Sequence, residues 1–411
     1  MHLDRLEQAL TDVVGRHEAL RATFHRDGTG AVYQEIAAVS PIRIRRETVS
    51  PDQEMPSPAV VSAANEPFDL GSGLLLRAVH WARGNGAGVL LLVCDHSVTD
   101  LVSIAVLVDD LQRAYAARLT GEAVPWDGPD PGYRAFLVEE AAWLGSPEAE
   151  QVLEAWCGHL TGPPPYCSLG GLSRPVWQVP PDPVAGSATV YLPSPVTDGL
   201  VAAAVGQGAS LAHALLALVA ISLSALTGQR RIGAFVPMAN REAAGSHRLV
   251  AYAAHGLPVH QDITPPEPFT HHLAQAARQT MEVLARQRLA LAEIVRRLDP
   301  EAFGVPASQP YVMVNFIAAD LLNASLAPAL DRVRTAPLSV GATEPAAPLI
   351  VELLQTPQAL TVHIVHDRRF IEDTDAQRLA GLLTRLAASA AAAPQASVAD
   401  LLATVADLLD R

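Results

Sequence analysis

His96 stands four residues before Asp100, at the end of an apolar run in "LLLVCDHSVTDLVSIAVLV" (residues 90–108). Histidine ordinarily titrates near pH ~6.5, so at neutral pH it can take a proton from an amine or hydroxyl nucleophile. Asp100 can hold the turn, by capping the following helix or by pairing with an arginine from elsewhere. Asp95 places a second carboxylate directly before the histidine. H-x-x-x-D alone is a weak pattern in a chain with 14 histidines and 43 acidic residues. The plain alternative for His96 is a core histidine with a satisfied hydrogen bond.

Other polar constellations point less clearly to chemistry. His363, His366 and Asp367 in "HIVHDRR" have metal-ligand residue types, but read as a solvated strand end. His271-His272 opens a helix and reads as surface. His255 is either a second polar group at a site or an exposed loop histidine, and the latter is favoured. No GxxxxGK is present and no GxGxxG follows a strand, so neither nucleotide nor metal is expected.

A residue at a strand-to-helix turn is held by rigid elements on both sides. Val89–Cys94 reads as the second strand of a hairpin turning at Gly84-Asn85-Gly86, and its unbroken apolar run predicts a central strand covered on both faces. Leu101, Ile104, Ala105, Val108 and Leu111 mark the next helix, with Thr99 or Asp100 as its natural N-cap. Upstream, Leu3, Leu6, Leu10, Val13 and Val14 mark an amphipathic helix, and "ALRATFHRDGTGAVYQEI" reads as a hairpin. Helices are expected near 131–145 and 147–161. Residues 161–187, rich in Pro and Gly, read as a linker between a first lobe (1–160) and a second (188–411). The second lobe repeats the mixture: a strand at Ala188–Leu192, a helix at Pro195–Val205, a strand in "IGAFVPMA", further strands in "YVMVNFIA" and "LIVELLQTPQALTVHIVH", and a final helix at Asp373–Ala391. Ser210–Gly228 is about as apolar as a membrane span, yet carries His213, Ser222 and Ser224 and ends at a glycine cap; it reads as a helix buried in a lobe.

Composition fits a globular chain: 411 residues, 49% hydrophobic, 18% charged, formal net charge −14. Without a basic block, neither nucleic acid nor an anionic membrane is an expected partner. All 29 basic residues are arginine, which excludes a lysine Schiff base and a P-loop lysine. Cys94, Cys157 and Cys167 form no CxxC and read as reduced thiols. With no secretion signal at the start, a soluble, cytoplasmic protein is expected.

Several stretches resemble the condensation domains of nonribosomal peptide synthetases. "LDRLEQALTDVVGRHEALRATF" is similar to the family's "RHExLRTxF" segment after its first helix, and "PFDLGSGLLLRAVHW" to its "PFDL…PLLR" strand. "CDHSVTDL" falls where its HHxxxDG motif lies. "LTGQRRIGAFVPMANR" resembles its "LTGQ…GxPVAxR" segment, and "RLVAYAAHGLPVHQDI" its "VGxFVNTLPLR" stretch. The resemblance covers nearly the whole chain in the same order. It implies an α/β fold of two chloramphenicol-acetyltransferase-like lobes forming a V-shaped pseudo-dimer, with a tunnel that carrier-protein phosphopantetheine arms enter. The family's catalytic histidine falls on His96. Its motif aspartate falls on Asp100, which would pair with Arg241 and hold the turn. Leu101, Ser103, His255 and Asn315 are candidates for lining the tunnel.

Four departures from the pattern follow. The opening "SxAQxRLW" segment and a first strand are absent, so an open sheet edge or wider tunnel is expected. Asp95 replaces the first motif histidine, Leu101 replaces the motif glycine, and Ala253-Ala254-His255-Gly256 replaces "FVNT". The resemblance therefore implies, first, a condensation-type acyltransferase joining a carrier-bound acyl or aminoacyl thioester to an amine or hydroxyl acceptor, with no cofactor of its own. His96 would serve as base or orient the nucleophile, and Asp95 as a polar helper. A second reading is a non-catalytic relative that binds a carrier protein or recruits a tailoring enzyme. A third takes Asp95, Asp100 and Ser103 as the D-x-x-x-x-D-x-x-S pattern of heterocyclization domains.

Overall fold

The computed structural model describes residues 2–409 apart from 51, 72, 84–87, 129–131, 161–168, 170–183, 244, 298–310, 318–344, 346 and 356–359. The chain forms two compact units. The described residues of the first are those of 2–143 together with Asn240–Ala254; those of the second fall within 144–239, 255–319 and 342–411. This division differs from the expected lobes in two ways. It falls before α5 (Pro147–His159), and a strap far along the sequence, Asn240–Ala254, packs into the first unit. The expected linker lies mostly outside the described residues, as does Cys167; its last three residues already belong to strand β6 (Ala185–Leu192).

In the first unit α1 (Leu3–Arg16) buries Leu6, Ala9, Leu10, Val13 and Val14, the face its apolar spacing predicts. β1 (Ala22–Arg26) and β2 (Val32–Ile36) form the expected antiparallel hairpin. Its turn is closed by Asp27, whose Oδ1 accepts from Thr29 N at 2.8 Å and Ala31 N at 3.0 Å, with Gly30 at φ +87°. A three-stranded sheet has the order β3 (Arg45–Thr48), β4 (Leu76–Ala82), β5 (Gly88–Cys94). β4 and β5 are antiparallel, with Leu76 opposite Cys94; the turn between them lies outside the described residues. The expectation of a covered central strand does not hold. Among the described residues β5 stands at the edge of this sheet, and its residues from Val89 to Cys94 are only half-buried. An unbroken apolar run shows that a strand is not solvated on alternate positions, but does not say what covers it.

α2 (Pro58–Asn65), capped by Ser57, brings Val60 and Ala63 onto Val79 and the fully buried Trp81. α3 (Leu101–Thr120) packs on α1 and ends at Gly121, whose φ of +80° is a left-handed cap. The helix is the one its spacing marks, and Ser103, Val106, Leu107, Asp110, Ala114 and Tyr115 are buried in it, while Leu101, Ile104, Ala105, Val108 and Leu111 stay half-buried. Two polar residues, Ser103 and Asp110, define the inner face because each meets partners there. α4 (Tyr133–Leu144) follows within the expected range.

The second unit is built on a mixed six-stranded sheet of order β6-β11-β10-β9-β7-β8, with β7 (Arg231–Met238), β8 (His255–Asp262), β9 (Val312–Ile317), β10 (Leu349–Gln355) and β11 (Leu360–Asp367). β9 runs parallel to β10 and β7, and the remaining pairings are antiparallel. The helices around it are α6 (Ser194–Val205), α7 (Leu211–Thr227), α8 (Phe269–Leu284), α9 (Leu291–Arg297) and α10 (Asp373–Ala392). α7 is apolar all round because α6, α8, α10 and β7 all pack on it. It starts with a Ser210–His213 capping box and stops at Gly228. Among the described residues no helix is long and apolar enough to cross a membrane.

Candidate functional site

The turn after β5 is tied down by its own side chains. Asp95 N donates to Leu75 O at 3.0 Å, extending the ladder by one residue. The Asp95 carboxylate then folds back: Oδ1 accepts from Ser97 N at 2.9 Å and Ser97 Oγ at 2.6 Å. Asp95 O accepts from Thr99 Oγ1 at 2.9 Å. These bonds tighten residues 95–99 into a compact turn and leave His96 exposed at its surface.

His96 Nδ1 lies 2.6 Å from Thr99 O. A carbonyl oxygen only accepts, so Nδ1 carries the hydrogen, and in the neutral ring Nε2 carries the lone pair. Tyr252 packs against the imidazole, with ring centroids 4.9 Å apart and planes at 66°. The ring is thus constrained at two places while Nε2 is the nitrogen with basic capacity.

Asp100 caps α3 and joins the turn to the strap. Oδ1 accepts from Ser103 N at 2.9 Å and Ser103 Oγ at 2.8 Å. Oδ2 accepts from Ala253 N at 3.1 Å and Ala254 N at 3.2 Å. Arg241 Nη2 donates to both oxygens, at 3.0 and 2.9 Å, and the two side chains are 9% and 4% exposed. Among the described residues, every donor that reaches this buried carboxylate comes from α3's first turn or from the strap. It is a structural node, as the resemblance implies for Asp100 and Arg241. Ser103 Oγ also accepts from Ala251 N at 3.1 Å, and its single hydrogen is shared between Asp100 Oδ1 and Ala251 O, each 2.8 Å away.

A second clamp lies further along α3. Asp110, with no exposure, meets His17 Nε2 at 2.8 Å, Arg16 Nε at 3.4 Å and Arg248 Nη2 of the strap. Burial alone would raise the Asp110 carboxyl; the hydrogen bond and charge of His17, with Arg248 and Arg16, outweigh it and hold the group below the usual carboxylate range. Sequence reading missed this cluster and Tyr252. The available signal was the run Asp100, Ser103, Asp110, which helical periodicity puts on one face of α3. Cys94, at the end of β5, is half-buried, yet desolvation, with a contribution from Asp95, pushes its thiol up to about 12. It is no nucleophile at neutral pH.

The first unit therefore brings together His96, Asp95, Asp100, Ser103 and Arg241. Leu101 is the first residue of α3 and half-buried. Ser103 is wholly buried, its Oγ within hydrogen-bond reach of Asp100 and Ala251. His255 and Asn315 belong to the second unit. His255 is the first residue of β8, opposite Met238, so it is a half-buried strand residue and not an exposed loop histidine; burial lowers its pKa. Asn315 lies within β9 opposite Glu352, also half-buried. Two surface readings are likewise corrected. His366 and Asp367 are buried, His366 Nε2 lying 2.9 Å from Asp373 Oδ1, and His272, in the first turn of α8, is buried with Nε2 3.2 Å from Thr264 O. Among the described residues no group of three or more His, Cys, Asp or Glu could hold a metal ion.

Helices packed on mixed and antiparallel sheets, in this order, make a chloramphenicol-acetyltransferase-like α/β fold. The X-domain from teicoplanin biosynthesis superposes with a TM-score of 0.81 at 21% identity, covering 97% of this chain and 90% of that one. The first condensation domain of the calcium-dependent antibiotic synthetase, bound to a substrate analogue, superposes at 0.74 and 22% identity, with 97% and 90% coverage. The Condensation domain family model matches residues 1–407, and the chain belongs to that family. Among curated relatives, the phosphinothricin tripeptide synthetase PhsB of Streptomyces viridochromogenes is 31% identical over 319 residues, 76% of this chain and 26% of the relative. A probable non-canonical nonribosomal peptide synthetase of Salinispora arenicola, CymA, is 30% identical over 307 residues, 73% of this chain and 4% of the relative. The chain thus spans a small part of the multidomain synthetases it matches.

Proposed function

We propose that this condensation-family chain is an acyltransferase that joins a carrier-bound acyl or aminoacyl thioester to an amine or hydroxyl acceptor, with His96 at the reacting centre. The observation that carries this reading is the His96 ring: exposed, its Nδ1 hydrogen committed to Thr99 O, its Nε2 the basic nitrogen. The acceptor N–H or O–H donates to Nε2 and attacks the thioester carbonyl. The new C–N or C–O bond forms, the C–S bond breaks, and the proton held at Nε2 passes to the departing phosphopantetheine thiolate. Orientation of the acceptor by the same nitrogen supplies part of the rate even where proton transfer is late. Asp100 and Arg241 act by holding the turn.

The heterocyclization reading gains little support, since the Asp95 carboxylate is engaged within its own turn and Ser103 is buried. Intact-mass spectrometry of a loaded carrier protein, mixed with amine and alcohol acceptors, tests the proposal. Wild type should release acyl product, and His96→Ala should release it at least about tenfold more slowly with folding unchanged. Equal rates in both would remove His96 from the chemistry. No transfer by either would leave a binding role toward a carrier protein or a tailoring enzyme.

A further inference from the structure

We propose that Tyr252 is the positioning residue for His96, an inference that rests on His96 being the reacting group. Tyr252 lies in the strap, far from His96 in sequence, and reaches it because the strap is clamped along α3. Arg241 and the amides of Ala253 and Ala254 grip Asp100, Ala251 grips Ser103, and Arg248 grips Asp110. Between these fixed points the Tyr252 ring stands edge-on to the imidazole at 4.9 Å.

The ring is 56% exposed, so it lies at the surface beside His96. Among the described residues its ring contact is with the His96 imidazole. The hydrogen bond at Nδ1 sets the tautomer only while the ring keeps its orientation, and by itself it lets the imidazole pivot about the line to Thr99 O. A second ring against the first restricts that pivot and keeps Nε2 aimed in one direction. Edge-to-face pairs of this kind have a real orientational preference. No hydroxyl chemistry is required, so phenylalanine should serve in place of tyrosine.

The experiment compares Tyr252→Ala and Tyr252→Phe by two readouts. The first is the 15N shifts of the His96 ring in histidine-labelled protein, assigned by the signal missing from His96→Ala. The second is steady-state acyl transfer, separating kcat from the acceptor KM. Tyr252→Ala should shift part of the neutral His96 population from the Nδ1–H to the Nε2–H form and lower kcat about three- to tenfold with KM nearly unchanged. Tyr252→Phe should restore both. Unchanged shifts and turnover in Tyr252→Ala would overturn the proposal, as would a Phe variant as impaired as the Ala variant. Should wild type transfer nothing, the acyltransferase reading fails, while the 15N shifts still decide whether Tyr252 orients the ring.

Discussion

Removing either partner of the Asp100–Arg241 pair should be costly, and the two removals should differ in a way their surroundings dictate. Arg241→Ala leaves the Asp100 carboxylate with Ser103 N, Ser103 Oγ, Ala253 N and Ala254 N still donating to it. The anion loses its counter-charge but not its hydrogen bonds, which places the cost at the low end of the range for breaking a buried pair, about 3 kcal/mol. Asp100→Ala takes the carboxylate away from a guanidinium that is 9% exposed and that also reaches the carbonyls of Leu249 and Ala251 at 3.4 Å. It also removes the acceptor for three backbone amides and the N-cap of α3, which places the cost at about 5 kcal/mol or slightly above. The double variant should be less harmful than the sum of the singles, because the guanidinium that lost its carboxylate is then gone. Amide hydrogen exchange over residues 249–254 reads this locally. Opening of the strap should become about a hundredfold more frequent in Arg241→Ala and at least tenfold more frequent again in Asp100→Ala. Equal exchange in the two single variants, or strictly additive effects in the double, would refute this account of the node.

Two further outcomes follow from the same unit. Asp110, whose carboxyl is held below its ordinary 3.8, contributes stability that is complete above that value and lost as pH falls through the lower folded value; Asp110→Asn should therefore be less stable than wild type at pH 6 in urea unfolding, with the gap closing in strongly acidic solution. Cys94, pushed up to about 12, should resist iodoacetamide at pH 8 in the folded protein and label readily in urea, as peptide mass mapping would show.

Local features of the site were legible. The strand ending at Cys94, the helix beginning at Leu101, and Asp100 as its cap follow from runs and spacings a few residues long. The family resemblance placed Arg241 opposite Asp100, which spacing alone could not have done. What escaped was burial. The buried residues of α3 include Ser103 and Asp110 among Val106, Leu107, Ala114 and Tyr115, and spacing alone did not mark those two polar residues as buried. His272 and His366 read as surface residues because histidine clusters at element ends are commonly solvated, yet each is buried against a partner acceptor. Polar residues turn inward where another segment supplies the complementary atom, and that segment is not visible from the residue's neighbours in sequence.

By itself, then, the sequence determined the turn that presents His96: Asp95, Ser97, Thr99 and Asp100 bond to atoms within four residues, and such bonds form wherever that stretch is placed. Only the tertiary structure decided what the turn leans on. Arg241, Ala253 and Tyr252 lie well over a hundred residues away, and they arrive beside Asp100 and His96 because the strap is laid along α3 and clamped at both Asp100 and Asp110. Contacts of that separation are chosen by the packing of the whole unit, since closing so long a loop gains nothing until every clamp along it forms together.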